Sequence, residues 1–127
     1  MDSCSNDLAE RVRDCRLFQW KRGMIAEDAN DCVWTAVVVM AGSYSKPMFN
    51  VQTEGRDVRP NLCEPGTVGC LWDLVQQNLP EGTFLTRQSK YADIRAESNM
   101  CVFEYSLARH EGERAAELLL FLAGVPR

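Results

Sequence analysis

The run CVWTAVVVM, residues 32 to 40, is apolar on both of its alternating faces. Val33, Val37 and Val39 fall on one side; Trp34, Ala36, Val38 and Met40 fall on the other. β-Branched side chains are stiff at χ1 and sit better on a pleated ribbon than on a helix. A run with this pattern predicts a strand inside a sheet, covered on both sides, so the rest of the chain must supply those covers. A helix over residues 32 to 41 is the competing reading, with Asp31 placed as its N-cap and Gly42 as its C-cap. Periodicity alone does not arbitrate so short a run, and the valines favour the strand.

The remaining segments predict the covers. Residues 7 to 22 read as a helix, with Asp7 and Glu10 spaced as a capping box, Leu8, Val12, Cys15 and Phe18 on one stripe, and Gly23 as its stop. Residues 24 to 31 read as an acidic connector. MFNVQT, residues 48 to 53, alternates as a half-buried strand, and EGRDVRPNLCEPG after it reads as loop. Thr67 is placed to cap a second helix with Val68, Leu71, Trp72, Val75 and Leu79 on one face, closed by Pro80 and Gly82. TFLTRQSKYADIRA reads as strand broken around Ser89, and ESN as a turn. MCVFEYSL alternates, and Cys101, Phe103, Tyr105 and Leu107 are expected on its core side. Glu111 and Glu113 open a last helix whose stripe is Ala115, Leu118, Leu119 and Leu122, expected to lie against the sheet. The order is α-β-β-α-β-β(-β)-α. It predicts an α+β fold in one globular domain, residues 1 to 127, with three helices on an antiparallel or mixed sheet of four to five strands.

Charge narrows the partners. The formal net charge of −4 argues against nucleic acid or an anionic membrane, both of which reward a basic surface. Arg11, Arg13, Arg16, Lys21 and Arg22 crowd the first segment, but Asp7, Glu10 and Asp14 are interleaved with them, as on a salt-bridged solvent face. No apolar run reaches the length of a membrane span. The N-terminal MDSCSNDLAERVRD lacks the pattern of a secretory signal, so a cytoplasmic protein with reduced cysteines is expected. The six cysteines contain no C-x-x-C pair and His110 is the only histidine, so no metal site and no cofactor are expected.

Candidate chemistry is sparse. If residues 32 to 41 were helical, Cys32 would lie at a helix N-terminus, where the dipole favours thiolate, and His110 would be the available base. NDCVWTAVVVMAGSY resembles the nucleophile segment of papain-like cysteine peptidases, especially the bacteriocin-processing group, and GTVGCLWDLVQQ looks like a later helix of that group. The resemblance implies Cys32 as nucleophile. Val33 stands where that family has glycine, Gln19 is too distant for its oxyanion glutamine, and no aspartate follows His110. Glu27, Asp28 and Asp31 form an acidic cluster; His110, Glu111 and Glu113 lack the second histidine of a zinc helix. Gly66 and Gly69 flank no lysine, and Arg87, Tyr91 and Arg95 read as the exposed side of a strand.

The element order also looks like that of type III secretion class I chaperones and is similar to the roadblock and profilin-like group. Small acidic immunity proteins share its size and charge. The reading favoured by the sequence is therefore a non-enzymatic, acidic protein-binding module of adaptor, chaperone, inhibitor or immunity type. Its partner would be another protein, with a homodimer as a further option. The alternative is a papain-like thiol hydrolase using Cys32 and His110.

Overall fold

The computed structural model describes residues 6–21, 23–28, 33–38, 48–49, 58–96 and 102–125. The elements are α1 (Asn6–Asp14), β1 (Ile25–Asp28), β2 (Val33–Val38), β3 (Met48–Phe49), β4 (Val58–Pro60), α2 (Pro65–Gln77), β5 (Thr83–Arg87), β6 (Ala92–Ala96), β7 (Val102–Ser106) and α3 (Glu111–Leu122). The α+β class and the three helices are those the sequence predicts. The strands, however, form two antiparallel sheets instead of one, ordered β3-β2-β1-β4 and β5-β6-β7. Short edges explain the division. β4 has three residues and ends at Pro60, which lacks the N–H a longer ladder would need. The strands β5 to β7 follow one another closely and pair locally as a meander.

Within the valine-rich run, Val33–Val38 is strand. β2 lies inside its sheet, with Ile25 opposite Ala36 and Glu27 opposite Val33 on one side, and Val37 opposite Phe49 on the other. Residues 39 to 42, including the proposed helix stop, lie outside the described residues. The acidic connector is partly wrong, because Ile25–Asp28 forms β1 between β2 and β4. The reason is non-local: Glu27 faces Arg59 across the β1–β4 ladder, and its carboxylate accepts from the buried guanidinium at 3.4 Å. The segment read as loop correspondingly contains β4.

α1 is shorter than predicted and stops at Asp14. Leu8, Ala9 and Val12 are buried, Cys15 and Phe18 are half-buried, and Phe18 meets Trp20 edge-on at 5.1 Å. Asp7 lies in the first turn of α1 rather than at its cap. Gly23 takes a positive φ of 103° in the turn that enters β1. α2 begins at Pro65, not at Thr67, with Glu64 at its N-cap. Thr67 is instead fully buried. Its hydroxyl accepts from the Ile25 N–H at 2.9 Å and donates to the Ile25 carbonyl at 3.4 Å, fastening α2 to β1.

α3 is the central helix. Gly112, Arg114, Ala115, Ala116, Leu118, Leu119 and Leu120 are all buried, which is too many for one stripe against a sheet. α3 packs chiefly on α2, then on α1, and also on β6 and β7. Arg16 reaches back to accept the role of a C-terminal cap, donating to the carbonyls of Leu122 and Ala123. Arg114 is 6% exposed and donates to the carbonyls of Ala108, Arg109 and Ser89, tying the turn between β5 and β6 to the entry of α3. Among the described residues no helix is long and apolar enough to cross a membrane.

Candidate functional site

The site of greatest interest follows from an inversion in β7. The sequence predicts Phe103, Tyr105 and Leu107 on the core side, yet they are 55%, 51% and 68% exposed. Cys101 lies outside the described residues. The side chain that turns inward is Ser106, fully buried, whose hydroxyl donates to Glu117 of α3 at 2.6 Å. Alternation identifies which residues share a face but not which face is covered. Here the inner face is filled by Ala92 and Ile94 of β6 against α3, and β7 meets a polar part of that helix through Ser106 and Glu117.

Register gives the outer face its composition. Thr86, Asp93 and Tyr105 lie in one row across β5, β6 and β7, and Phe84 stands opposite Arg95 in the next. Ile94 pairs with Glu104 and Arg95 with Val102, so Phe103 is the extra residue of a β-bulge. A bulge bends the strand and re-aims a side chain. Asp93 and Arg95 neutralise each other, with contacts of 3.1 Å, and the hydrogen bond from Arg95 to Asp93 chiefly accounts for the raised guanidinium pKa. The result is a face on which Phe103 and Tyr105 of β7 are exposed, while Asp93 of the central strand β6 is buried in its ion pair with Arg95.

A second feature is a cleft of about 380 Å³ between the turn before α2 and the start of α3. Leu62, Pro65, Val68 and Trp72 form its apolar wall; Arg87, His110 and Glu111 are its polar lining. The Trp72 indole N–H donates to Glu111 at 2.9 Å, and the Arg87 guanidinium stacks over the Trp72 ring at 5.2 Å. Arg87 and Glu111 approach to 4.0 Å, but both are half-exposed, so this pair contributes little. The network joins β5, α2 and α3.

The candidate residues from the sequence scatter. His110 stands at the N-cap of α3, makes no side-chain cap bond and lines the cleft. Cys32 and Asp31 lie outside the described residues, so the pairing of Cys32 with His110 receives no geometry. Glu27 serves Arg59. Gly66 is pressed against the backbone of Gly23, a packing role. Arg87 and Arg95 do not share a surface: Arg87 lies on the inner side over Trp72, and Arg95 on the outer side with Asp93.

The cysteines depart from the expectation of free thiols throughout. Cys15 and Cys70 are in no disulfide, whereas Cys63, exposed in the turn before α2, is disulfide-bonded. Burial, reinforced by Asp73 and opposed by Lys21, pushes the Cys70 thiol up, so less of it is thiolate at neutral pH. Alkylation under denaturing, non-reducing conditions should modify Cys15 and Cys70 and leave Cys63 unmodified until a reductant is added. Peptide mass mapping reads this directly, and a labelled Cys63 before reduction would contradict the disulfide. In the folded protein, Cys70 should react with iodoacetamide more slowly than a free cysteine.

Comparison with known protein families, with curated proteins and with solved structures returned no match. The functional reading therefore rests on the residues themselves.

Proposed function

We propose that this chain is a non-enzymatic protein-binding module that meets its partner with the outer face of the β5-β6-β7 sheet. One observation carries the reading: Phe103, Tyr105 and Leu107 are exposed together along one strand and its continuation. Scattered apolar side chains on a surface are ordinary, but a contiguous group marks a contact site.

The thiol-hydrolase alternative has less support. It needs a thiolate beside His110. Its nucleophile, Cys32, lies outside the described residues, and among the described cysteines Cys63, which shares the cleft with His110, is held in a disulfide and the Cys70 thiol is pushed up rather than down, so neither substitutes for it. The cytoplasmic location expected from the N-terminal sequence stands against a disulfide at Cys63, a bond uncommon in reducing compartments. The redox state of Cys63 in acid-trapped cell lysates decides that point.

The binding reading is tested by replacing Phe103 with a photo-crosslinking benzoylphenylalanine in the native host. Ultraviolet irradiation should yield a covalent adduct with a protein, identified by mass spectrometry, and the same probe at the exposed Asp73 should not. Absence of any protein adduct at positions 103, 105 and 107 would remove this face from consideration.

A further inference from the structure

We propose that the open edge of β5 is a docking site for an extended peptide segment of another protein, which adds as a strand beside it and above α2. The site is separate from the outer sheet face and goes beyond the reading above. Ladder geometry exposes the edge. The Gln88 N–H donates to the Tyr91 carbonyl at 2.7 Å, so these two residues are a hydrogen-bonded pair at the tip of the β5–β6 hairpin. Such pairs alternate in an antiparallel ladder. Phe84 and Thr86 therefore bond to β6, while Thr83, Leu85 and Arg87 turn their N–H and C=O groups away from it. The Thr83 N–H accordingly donates to the Pro80 carbonyl in the preceding turn, at 3.1 Å. No described residue pairs with the backbone of Leu85 or Arg87 on that edge. These groups select the occupant. Donors and acceptors that repeat at every second residue match an extended polypeptide backbone.

The other edges of the described sheets carry features that discourage pairing. β3 is two residues long, β4 ends in Pro60, and β7 is bent by its bulge. β5 has none of these. Its five residues contain no proline, pair with β6 in unbroken register, and turn their one charged side chain, Arg87, inward over Trp72. Beneath the edge lies a groove of about 610 Å³, with Leu85 and Arg87 on one side and Gly66, Gly69, Cys70 and Gln76 of α2 on the other. Residues opposite one another across a ladder point to the same face, so peptide residues facing Leu85 and Arg87 project into this groove. With Leu85 on one wall and no side chain at Gly69 on the other, an apolar side chain fits there. The position of α2 disfavours a second copy as the occupant. α3 packs on β6 and β7, whereas α2 packs on α3, so α2 lies beyond β5 at the side of the sheet. Two β5 edges paired about a two-fold axis would bring a second α2 into space that α2 already holds. A lone strand brings no helix.

Panning a random-peptide phage library on the full chain is the test, with enriched peptides remade synthetically and their affinity read by fluorescence anisotropy. Gly69→Phe fills the groove. The position is exposed and an added Cβ meets nothing within 4 Å, so α2 accommodates the change, and circular dichroism checks the fold. Enriched peptides should bind this variant about tenfold more weakly or worse. Leu85→Pro removes an edge donor while leaving the hydrogen bonds to β6 in place, and should weaken binding about 2–10-fold. Proline scanning of the peptide should be harmful at every second position, because only alternate N–H groups face β5. Tyr105→Arg, on the outer face, should leave the affinity unchanged. No enriched peptide, equal binding to Gly69→Phe, or proline sensitivity without a two-residue period overturns the proposal. Self-association of the chain that Gly69→Phe abolishes overturns the foreign peptide in favour of a second copy. Binding lost in Tyr105→Arg but kept in Gly69→Phe overturns the edge site and leaves the outer-face reading standing, which the crosslink at position 103 tests separately.

Discussion

Leu119→Ala is expected to cost the upper part of the roughly 2–5 kcal/mol range measured for large-to-small core changes. Leu119 is fully buried, between the equally buried Leu118 and the nearly buried Leu120. Three successive buried leucines require cover on several sides of the helix, and α3 receives it from α2, α1 and the β5-β6-β7 sheet. A cavity walled by three elements collapses poorly, because closing it from one side opens a gap on another. Urea unfolding followed by circular dichroism gives the number. Leu107→Ala is the companion: at 68% exposure it should change stability by less than about 0.5 kcal/mol in the monomer. Equal losses at the two positions would mean that α3 is not the centre of the core.

Gly112→Ala should destabilise by about 3 kcal/mol, the upper end of the usual cost of overpacking. A Cβ at Gly112 would collide with the Leu62 carbonyl oxygen and stand 2.8 Å from its carbon and 3.1 Å from Val68 Cγ2. The nearest obstacle is backbone, so no rotamer change relieves it; the first turn of α3 must move away from the turn that precedes α2. The displacement would widen the cleft and pull Glu111 away from the Trp72 indole, so tryptophan fluorescence should change together with the melting temperature. Gly69→Ala is the opposite case. It lies in α2 with nothing within 4 Å of the added methyl, and the lower backbone entropy of alanine should stabilise by about 0.5–1 kcal/mol. A Gly112→Ala protein as stable as the wild type would show that the two segments do not approach as closely as described.

Much of the fold was legible in the chain because it depends on local patterning. Apolar spacing marked α2 and α3, and β-branched content marked β2 against the competing cap signals at Asp31 and Gly42. Strand alternation likewise placed Phe103, Tyr105 and Leu107 on one face. What failed was whatever depended on a distant neighbour. β1 hid in an acidic stretch because the partner of Glu27 is Arg59 on another strand. Thr67 looked like a cap because its actual partner, Ile25, is remote in sequence.

The sequence by itself determined the class, three helices with antiparallel strands, since hydrophobic period and turn residues are properties of the chain alone. Only the tertiary structure decided that the strands divide into two sheets, that α3 is enclosed rather than laid on a sheet, and that the apolar side of β7 faces outward. The physical reason is the same in each case. Period fixes which side chains lie together, but burial is decided by the element that arrives to cover them. On the inner side of β7 that element is α3, and it brings Glu117 to Ser106 in place of an apolar cover for the aromatic side.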